Sequence, residues 1–437
     1  MSQSGHSADP QADSVPGRLE YASLSDIGLR RSNNQDSLAI MPAASEKSWQ
    51  QRGDLFVVAD GMGAHAAGEL ASKLSTDTVP LVYHKLMDRT PAEAILAAVE
   101  EANAQIHSRG QASIDFRGMG TTTTALALLP YGALLAHVGD SRAYRLRGNR
   151  FEQLTFDHSL VWEMRAAGQQ EGQVPDYYVP KNVITRSLGP SPKVQVDLEG
   201  PLPVAAGDTF LMCSDGLSGP VKDEEMGMIL GSMPPAEAVR ALVDLANLRG
   251  GPDNITVIVA TAVGQAWAQA SSGDMPRPRA DVRPVNPVVW IAMGVAALAG
   301  LGLLVMQNFI PAALCLVAAA VLGAGALIYR QGGEQKGPPM NGPRYGRGPY
   351  TAVVCSPSPE FVRHLAETLR ELREAAAQAE LAVDMAGLNV LLDRAAAGSH
   401  TGDYAQAVRN YCQGIAFLVA EFKRQGKSRP GGSRHQK

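Results

Sequence analysis

Aspartates at the borders of apolar, β-rich runs constrain the fold of this chain more than any other sequence feature. Four of them lie beside or close to glycine where such a run ends or the next begins: Asp60, Asp140, Asp215 and Asp253. A fifth, Asp36, closes the segment 26–36. One Asp-Gly after a strand is usually only a turn, but the repeated pattern predicts a common site at which strand ends converge.

Carboxylates that converge in this way repel one another, and they are costly to remove from water unless cations lie between them. Oxygen ligands select Mg²⁺ or Mn²⁺, and the absence of His and Cys from these positions argues against zinc. Two such ions about 3.5–4 Å apart can activate a bridging water toward a phosphate ester. Arg31 is the candidate to hold the phosphate oxygens. The pattern predicts a divalent-metal phosphoesterase and leaves open whether it is a protein phosphatase or a nuclease.

The first 262 residues alternate short β-rich runs with longer helical ones. Strands outnumber helices, and the longest helical patterns bracket the strands. We therefore expect an α+β fold in which an antiparallel β-sandwich is flanked by helices. The predicted strands include 55–59, 122–129, 134–138, 209–213 and 255–260, and the predicted helices are 68–86, 92–109 and 235–248.

Two uncharged runs, 288–306 and 309–329, are separated only by Gln307 and Asn308. Each is about long enough to cross roughly 30 Å of hydrocarbon as a helix, so the pair predicts a transmembrane hairpin. Arginines on both outer flanks predict that the catalytic and C-terminal parts face the cytoplasm at the cell (inner) membrane. The alternative is a buried helical hairpin of a soluble domain.

The remaining segments complete the predicted domain plan. The catalytic domain spans 19–263 and is preceded by a disordered lead-in, 1–18. A linker at 264–287 leads to the hairpin, and a Gly/Pro/Arg-rich linker follows it at 330–350. A small helical unit, 351–425, precedes a disordered tail, 426–437. Its helices are candidates for interaction or oligomerisation.

Composition excludes some classes of protein. The formal charge of −4, from 39 basic and 43 acidic residues, gives no overall attraction to nucleic acid. The four cysteines lie far apart without metal-ligand spacing, which indicates neither a zinc site nor a disulfide framework.

Eight ordered motifs between about residues 19 and 262 resemble the metal-dependent type 2C protein serine/threonine phosphatase family, in particular its bacterial branch. They are Asp26-x-Gly28-x-x-Arg31-x-x-Asn34-x-Asp36, Asp60-Gly61-Met62-Gly63, Gly118-Met119-Gly120-Thr121-Thr122, Gly139-Asp140-Ser141-Arg142, Leu154-Thr155-x-Asp157-His158-Ser159, Thr185-Arg186-x-Leu188-Gly189, Ser214-Asp215-Gly216-Leu217 and Asp253-Asn254-Ile255-Thr256.

The resemblance implies a centre of two or three Mn²⁺ or Mg²⁺ ions. Asp60 would bridge two ions, and Gly61 would offer its carbonyl to one of them. Asp215 and Asp253 would complete the shell of the other ion. Asp140 matches the position that supports a third ion in bacterial members.

The resemblance also implies supporting roles and shows two departures from the family pattern. Arg31 would bind the substrate phosphate, and Asp36 would hold metal-bound water beside the centre. Gln35 stands where many relatives carry an acidic residue, and Met62 stands where eukaryotic relatives carry a histidine proposed as general acid. His65 is the nearest alternative proton donor.

The function implied is hydrolysis of phosphoserine and phosphothreonine in cytoplasmic proteins. This reaction would reverse phosphorylation by a bacterial serine/threonine kinase of the eukaryotic-like type. Residues 161–184 fall where the family has a mobile flap beside the site. Two alternatives stay open. One is a catalytically dead, membrane-tethered scaffold that only binds phosphoproteins, and the other is a phosphatase whose substrates are anti-sigma-factor antagonists.

Overall fold

Two antiparallel β-sheets form the centre of the molecule. A computed structural model describes residues 9–64, 66–167, 183–267, 287–314, 317, 320 and 345–428. The first sheet consists of seven strands: β1 Gln11–Val15, β2 Leu19–Asp26, β8 Arg142–Arg147, β9 Arg150–Gln153, β11 Thr209–Cys213, β12 Ile255–Ala262 and β13 Thr351–Val354. Their order across the sheet is β1-β2-β12-β11-β8-β9-β13.

The second sheet consists of β3 Asp36–Met41, β4 Asp54–Met62, β6 Thr123–Leu129, β7 Gly132–Val138 and β10 Asp197–Leu202. Its order is β10-β7-β6-β4-β3, and a short strand, β5 Gly120–Thr121, pairs with the end of β4. The side chains between the two sheets include Phe56 and Leu126 from this sheet and Phe210 and Ile258 from the first. Because the sheets pack face to face, the predicted α+β sandwich is confirmed.

Helices cover the outer faces of both sheets. The second sheet is covered by α2 (Ala67–Lys85) and α3 (Pro91–Ala112), whose buried face includes Val79, Ile95 and Val99. Thr90 caps α3 through a reciprocal pair of hydrogen bonds with Glu93, which satisfies backbone N–H groups at the helix start. The other helices of this part are α1 Glu46–Arg52, α4 Leu160–Ala166, α5 Asp215–Ser218, α6 Asp223–Leu230 and α7 Pro235–Leu248.

The C-terminal segment packs directly on the catalytic domain. Its helices are α9 Pro359–Gln378, α10 Met385–Thr401 and α11 Tyr404–Ser428. Apolar residues of this segment, including Phe361, Leu365 and Val408, share one buried cluster with Leu242 of α7 and Ile229 of α6. The strand β13 pairs with β9 and closes the edge of the first sheet. Residues 1–272 and 345–437 consequently form one compact unit.

The structure extends the ordered part of the chain beyond the predicted boundaries at both ends of the catalytic segment. Residues 11–15 lie in the predicted disordered lead-in but form β1, because the turn at Gly17 (φ +70°) lets them pair with β2. Trp267 lies in the predicted linker but is fully buried, and its indole donates a hydrogen bond to the Arg18 carbonyl at 2.7 Å. The start of β2 and the segment after β12 are thereby tied together.

The second unit, 273–344, contains the helix α8, Pro287–Val305, over most of the first predicted membrane span. The side chains of 287–293 and 296 lie outside the described residues, as does most of the second predicted span. A crossing needs about 20 continuous apolar residues. Among the described residues, no helix is long and apolar enough to cross a membrane, so the predicted transmembrane hairpin is not supported.

Candidate metal centre

Neighbouring strand ends bring the predicted acidic residues together at one edge of the sandwich. Asp36 opens β3 and lies directly opposite Asp60 of β4 in the sheet register. Asp140 lies in the turn between β7 and β8. Asp215 opens α5 directly after β11, and Asp253 precedes β12. Five different segments of the sandwich therefore contribute one carboxyl group each.

The backbone around Asp60 is fixed by the segment that enters β6. The Asp60 N–H donates to Thr122 Oγ1 at 2.9 Å, and its carbonyl accepts from Thr121 Oγ1 and from the Thr122 N–H, both at 2.9 Å. The next residue, Gly61, lies very close to the backbone of α2. A Cβ at this position would be 2.1 Å from the Gly68 carbonyl oxygen. Only glycine fits at this position of the strand.

Hydrogen bonds also orient Asp36. Ser214 donates its hydroxyl to Asp36 Oδ2 at 2.6 Å and accepts from the Thr256 N–H at 3.0 Å. Ser214 thereby connects the start of β3 to the end of β11 and the start of β12. The other carboxylate oxygen, Asp36 Oδ1, is buried and has no hydrogen-bond partner.

Burial and mutual repulsion raise the pKa values of the clustered carboxyl groups. Burial raises the pKa of Asp36 to about 7, and the nearby Asp215 and Asp253 add to the rise. The pKa of Asp60 lies well above its usual value, because of burial first and the charge of Asp36 second. Burial, reinforced by Asp215, raises the pKa of Asp140 to about 7. Each group therefore makes its neighbours harder to ionise.

The chemistry of the donor atoms, although not their arrangement in this structure, suits a hard divalent cation. One oxygen of each of Asp36, Asp140 and Asp215 is buried without a hydrogen-bond partner. Buried carboxylate oxygens ordinarily have partners, so three orphans at one edge indicate that a cation is needed there. Over the described ranges, however, no group of three or more His, Cys, Asp or Glu side chains is arranged so that it could hold a metal ion.

Arg31 and Asp253 lie together in the structure. Arg31 Nη2 donates to Asp253 Oδ2 at 2.5 Å, and half of the Arg31 side chain remains exposed. The predicted phosphate-binding residue thus contacts a predicted metal ligand, and its guanidinium is accessible from solvent. Asp253 therefore has a charged partner within the chain.

Asn254 is a residue to which the sequence reasoning gave no role. Its Oδ1 accepts from the Gln35 N–H at 2.8 Å, and its Nδ2 donates to the carbonyls of Ile27 and Asn33, both at 2.9 Å. Asn254 is buried, and it fixes the loop that carries Arg31 on both sides of that residue. Its place directly after Asp253 was the available signal.

A second polar network fixes the turn that carries Asp140. The Gly139 N–H donates to His158 Nδ1 at 2.9 Å, and His158 Nε2 lies 2.9 Å from Asp197 Oδ2. Arg142 binds both oxygens of Asp157. Arg186 donates to the other oxygen of Asp197 at 2.6 Å. The motifs at 154–159 and 185–189 therefore support the site from outside it. His65 and most of the expected flap, 168–182, lie outside the described residues.

Known proteins with similar sequences identify the family. The family model described as "Protein phosphatase 2C" matches residues 30–247. Protein phosphatase PhpP of Streptococcus pneumoniae serotype 2 (strain D39) is 36% identical over 243 residues, which are 55% of this chain and 96% of that protein. The chain belongs to the protein phosphatase 2C family. This confirms the predicted enzyme class, a metal-dependent protein serine/threonine phosphatase.

Further 2C-type proteins match the same part of the chain. Serine/threonine protein phosphatase PstP of Mycobacterium tuberculosis is 36% identical over 258 residues, which are 57% of this chain and 46% of that protein. A crystal structure of M. tuberculosis PstP/Ppp matches with a TM-score of 0.48 at 36% identity, over 56% of this chain and 98% of that one. Another, of the PstP catalytic domain with 2 manganese ions, matches with a TM-score of 0.47 at 36% identity, over 56% of this chain and 99% of that one.

Proposed function

We propose that this 2C-type phosphatase hydrolyses phosphoserine and phosphothreonine esters of proteins at a centre of two or three Mn²⁺ or Mg²⁺ ions. The observation that carries the proposal is a cluster of carboxylates, three of which have a buried oxygen without a hydrogen-bond partner, beside an accessible arginine. A positively charged substrate would not suit such a cluster, because its carboxylates would already bind cations and the positive charge of Arg31 lies beside them. It suits a substrate whose negative charge is bound between cations and a guanidinium.

Each residue of the cluster receives a role from its position. Asp60, Asp215 and Asp253, with the Gly61 carbonyl, would hold two ions, and Asp140 would support a third. Bound divalent ions would supply an activated water and would polarise the phosphate ester. Arg31 would bind the phosphate oxygens, which requires that its guanidinium exchange Asp253 for substrate. Asp36 would orient water through the oxygen that Ser214 leaves free.

The oxygen-only donor set is compatible with manganese and magnesium alike. Manganese is the first ion to test, because the PstP catalytic domain, 36% identical in sequence to the matching part of this chain, was crystallised with 2 manganese ions. A serine/threonine kinase and its phosphoprotein substrates are the proposed partners, in line with the serine/threonine phosphatase names of the relatives. The cytoplasmic location of the catalytic part stays a prediction that cell fractionation would test.

The test is phosphate release from a phosphothreonine peptide by the full chain, with Mn²⁺, with Mg²⁺ and with a chelator. We expect metal-dependent release that Asp215→Asn abolishes. Asp77→Asn is the matched control, because Asp77 is exposed on α2, where it pairs with its helix neighbour Lys73. This variant should keep full activity.

The same experiment separates the alternative function. A scaffold would bind the phosphothreonine peptide, as measured by titration calorimetry, yet would release no phosphate with any of the metals. That result would overturn the proposed hydrolysis. Release that persists in Asp215→Asn would overturn the assignment of the site.

A further inference from the structure

The C-terminal helix α11 reaches the base of the loop that carries Arg31. Lys423 Nζ lies 3.4 Å from Asp26 Oδ2. The Asp26 side chain is 5% exposed, whereas that of Lys423 is 36% exposed. Asp26 ends β2 and begins the loop. A cation from a segment that lies almost 400 residues away along the chain therefore meets a buried carboxylate at the root of the phosphate-binding loop.

Asp26 holds the first half of that loop. Its Oδ1 accepts from the Gly28 N–H at 2.8 Å and from Asn247 Nδ2 at 3.2 Å. Gly28 lies so close to the segment before β12 that a Cβ there would be 2.1 Å from the Asp253 carbonyl oxygen. The Leu29 N–H donates to the Gly251 carbonyl of the same segment. The backbone after β2 and the backbone before β12 are thus fixed against each other.

The connection ends at the candidate site. The Arg30 N–H also donates to the Gly251 carbonyl, and the next residue, Arg31, binds Asp253. If Asp26 moved, Gly28 would lose the hydrogen bond that holds it. The backbone that carries Arg31 would then move as well. This guanidinium needs a definite position to bind a phosphate bidentately.

A second buried carboxyl group makes the Lys423 charge more important. Asp244 of α7 is 1% exposed, and neither of its carboxylate oxygens has a hydrogen-bond partner. Burial raises the pKa of Asp244 to about 6, while the charges of Lys423 and Arg240 oppose the rise and that of Asp26 adds to it. Two buried acidic groups therefore depend on the same lysine, since Arg240 is shared with Asp9.

The helix that carries Lys423 is held firmly on the catalytic domain. Its buried residues Cys412, Ile415 and Leu418 belong to the apolar cluster that includes α7. One turn further toward its start, Arg409 binds both carboxylate oxygens of Glu237 at 2.6 and 2.8 Å. The position of Lys423 is therefore set by packing that is independent of its own ion pair.

We propose that Lys423 is a positioning residue for catalysis, through which the C-terminal helix fixes Asp26 and thereby the loop that presents Arg31 to the substrate phosphate. The inference rests on the proposed role of Arg31. It assigns a function to a helix that lies beyond residues 30–247, the part matched by the family.

Kinetics of the full chain test the proposal with a phosphothreonine peptide and Mn²⁺. We expect Lys423→Met to raise KM by about fivefold with kcat changed less than about twofold, because a misplaced Arg31 weakens binding of the phosphate in the ground state and the transition state alike. Lys423→Arg keeps the charge and should restore a KM near that of the wild type. Inorganic phosphate should inhibit Lys423→Met more weakly by a similar factor.

Arg409→Met is the matched control, because it removes a basic residue and an ion pair from the same helix without touching Asp26. If α11 acted only by stabilising the domain, both variants would behave alike. An unchanged KM in Lys423→Met, or an equal rise in Arg409→Met, would overturn the proposal.

Hydrogen exchange gives a readout that does not depend on activity. The amides of Leu29 and Arg30 are bonded to Gly251 in the wild type, and we expect both to exchange about tenfold faster in Lys423→Met but not in Arg409→Met. If the wild type released no phosphate, the proposed function would fail, and this measurement would still decide the role of Lys423. Unchanged exchange would reject it.

Discussion

β4 carries one aspartate at its start and another near its end, and the two side chains have opposite surroundings. Asp54 opens the strand and is fully buried. Arg18 donates to both of its oxygens at 2.8 Å, and the Ala43 N–H donates to one of them at the same distance. Asp60, six residues further along, has carboxyl groups as its charged neighbours. One aspartate is neutralised within the chain, and the other needs a cation from outside.

The pKa shifts express the same difference. Burial raises the pKa of both groups. At Asp54 the hydrogen bond and the charge of Arg18 oppose that effect, whereas at Asp60 the charges of Asp36 and Asp215 reinforce it. A buried carboxylate with a guanidinium partner is a structural ion pair, and one surrounded by carboxylates is a site for a ligand. The comparison therefore separates the two roles on a single strand.

The largest expected effect is on catalysis at the far end of the strand. We expect Asp60→Asn to lower kcat by at least about a thousandfold, or about 4 kcal/mol, since it removes the carboxylate that we propose is shared between two ions. The metal-free variant should be at least as stable as the metal-free wild type, because one repelling charge is gone. Phosphate release and thermal unfolding measure the two quantities. If Asp60→Asn lost stability but kept most of its activity, Asp60 would have the structural role that we assign to Asp54.

A smaller effect, on stability instead of catalysis, is expected at the near end. Asp54→Asn leaves the 8%-exposed Arg18 side chain without its counter-charge, so we expect the free energy of unfolding to fall by about 3 kcal/mol. Urea unfolding of the full chain measures this, and kcat should change little at temperatures where the variant is folded.

The double variant Arg18→Met with Asp54→Leu provides the control for this position. It removes both charges and should recover most of the lost stability. If the double variant were as unstable as Asp54→Asn, the ion pair would not be the cause of the loss.

The smallest expected effect concerns pH. The pKa of Asp140 is raised to about 7, so the stability it contributes in the metal-free protein is complete below about pH 4 and is lost as the pH rises through 7. The free energy of unfolding of Asp140→Asn should match that of the wild type near pH 4 and exceed it near pH 8, without metal. Added Mn²⁺ should shrink this difference. If the difference in stability did not change with pH, the pKa of Asp140 would not be raised.

The sequence allowed prediction of which carboxylates lie near one another in the candidate site but not of their contacts. Asp60 and Asp215 were found because strand ends combine with glycine in a repeated pattern. The pairing of Arg31 with Asp253 was not foreseeable, since it joins residues more than 220 positions apart through side-chain geometry. Asn254 was missed for the same reason, because its role lies in three hydrogen bonds to distant backbone groups.

The fold shows a similar limit. Alternating patterns predicted the sandwich and its flanking helices, because period and strand length are local properties. The strands β13 and β9 pair although they lie nearly 200 positions apart in the sequence. Nothing in the four residues of β13 indicates which strand they pair with. The predicted transmembrane hairpin rested on hydropathy alone, and among the described residues no helix supports it.

The discontinuous path of the chain has a consequence for its handling and lifetime. The first and last parts of the catalytic unit are joined by 273–344 but are held together by a shared sheet and a shared apolar cluster. A protease that cuts once within that connection would therefore leave two fragments that copurify under native conditions and separate only in denaturant. An apparently intact enzyme in a sizing column could already be nicked.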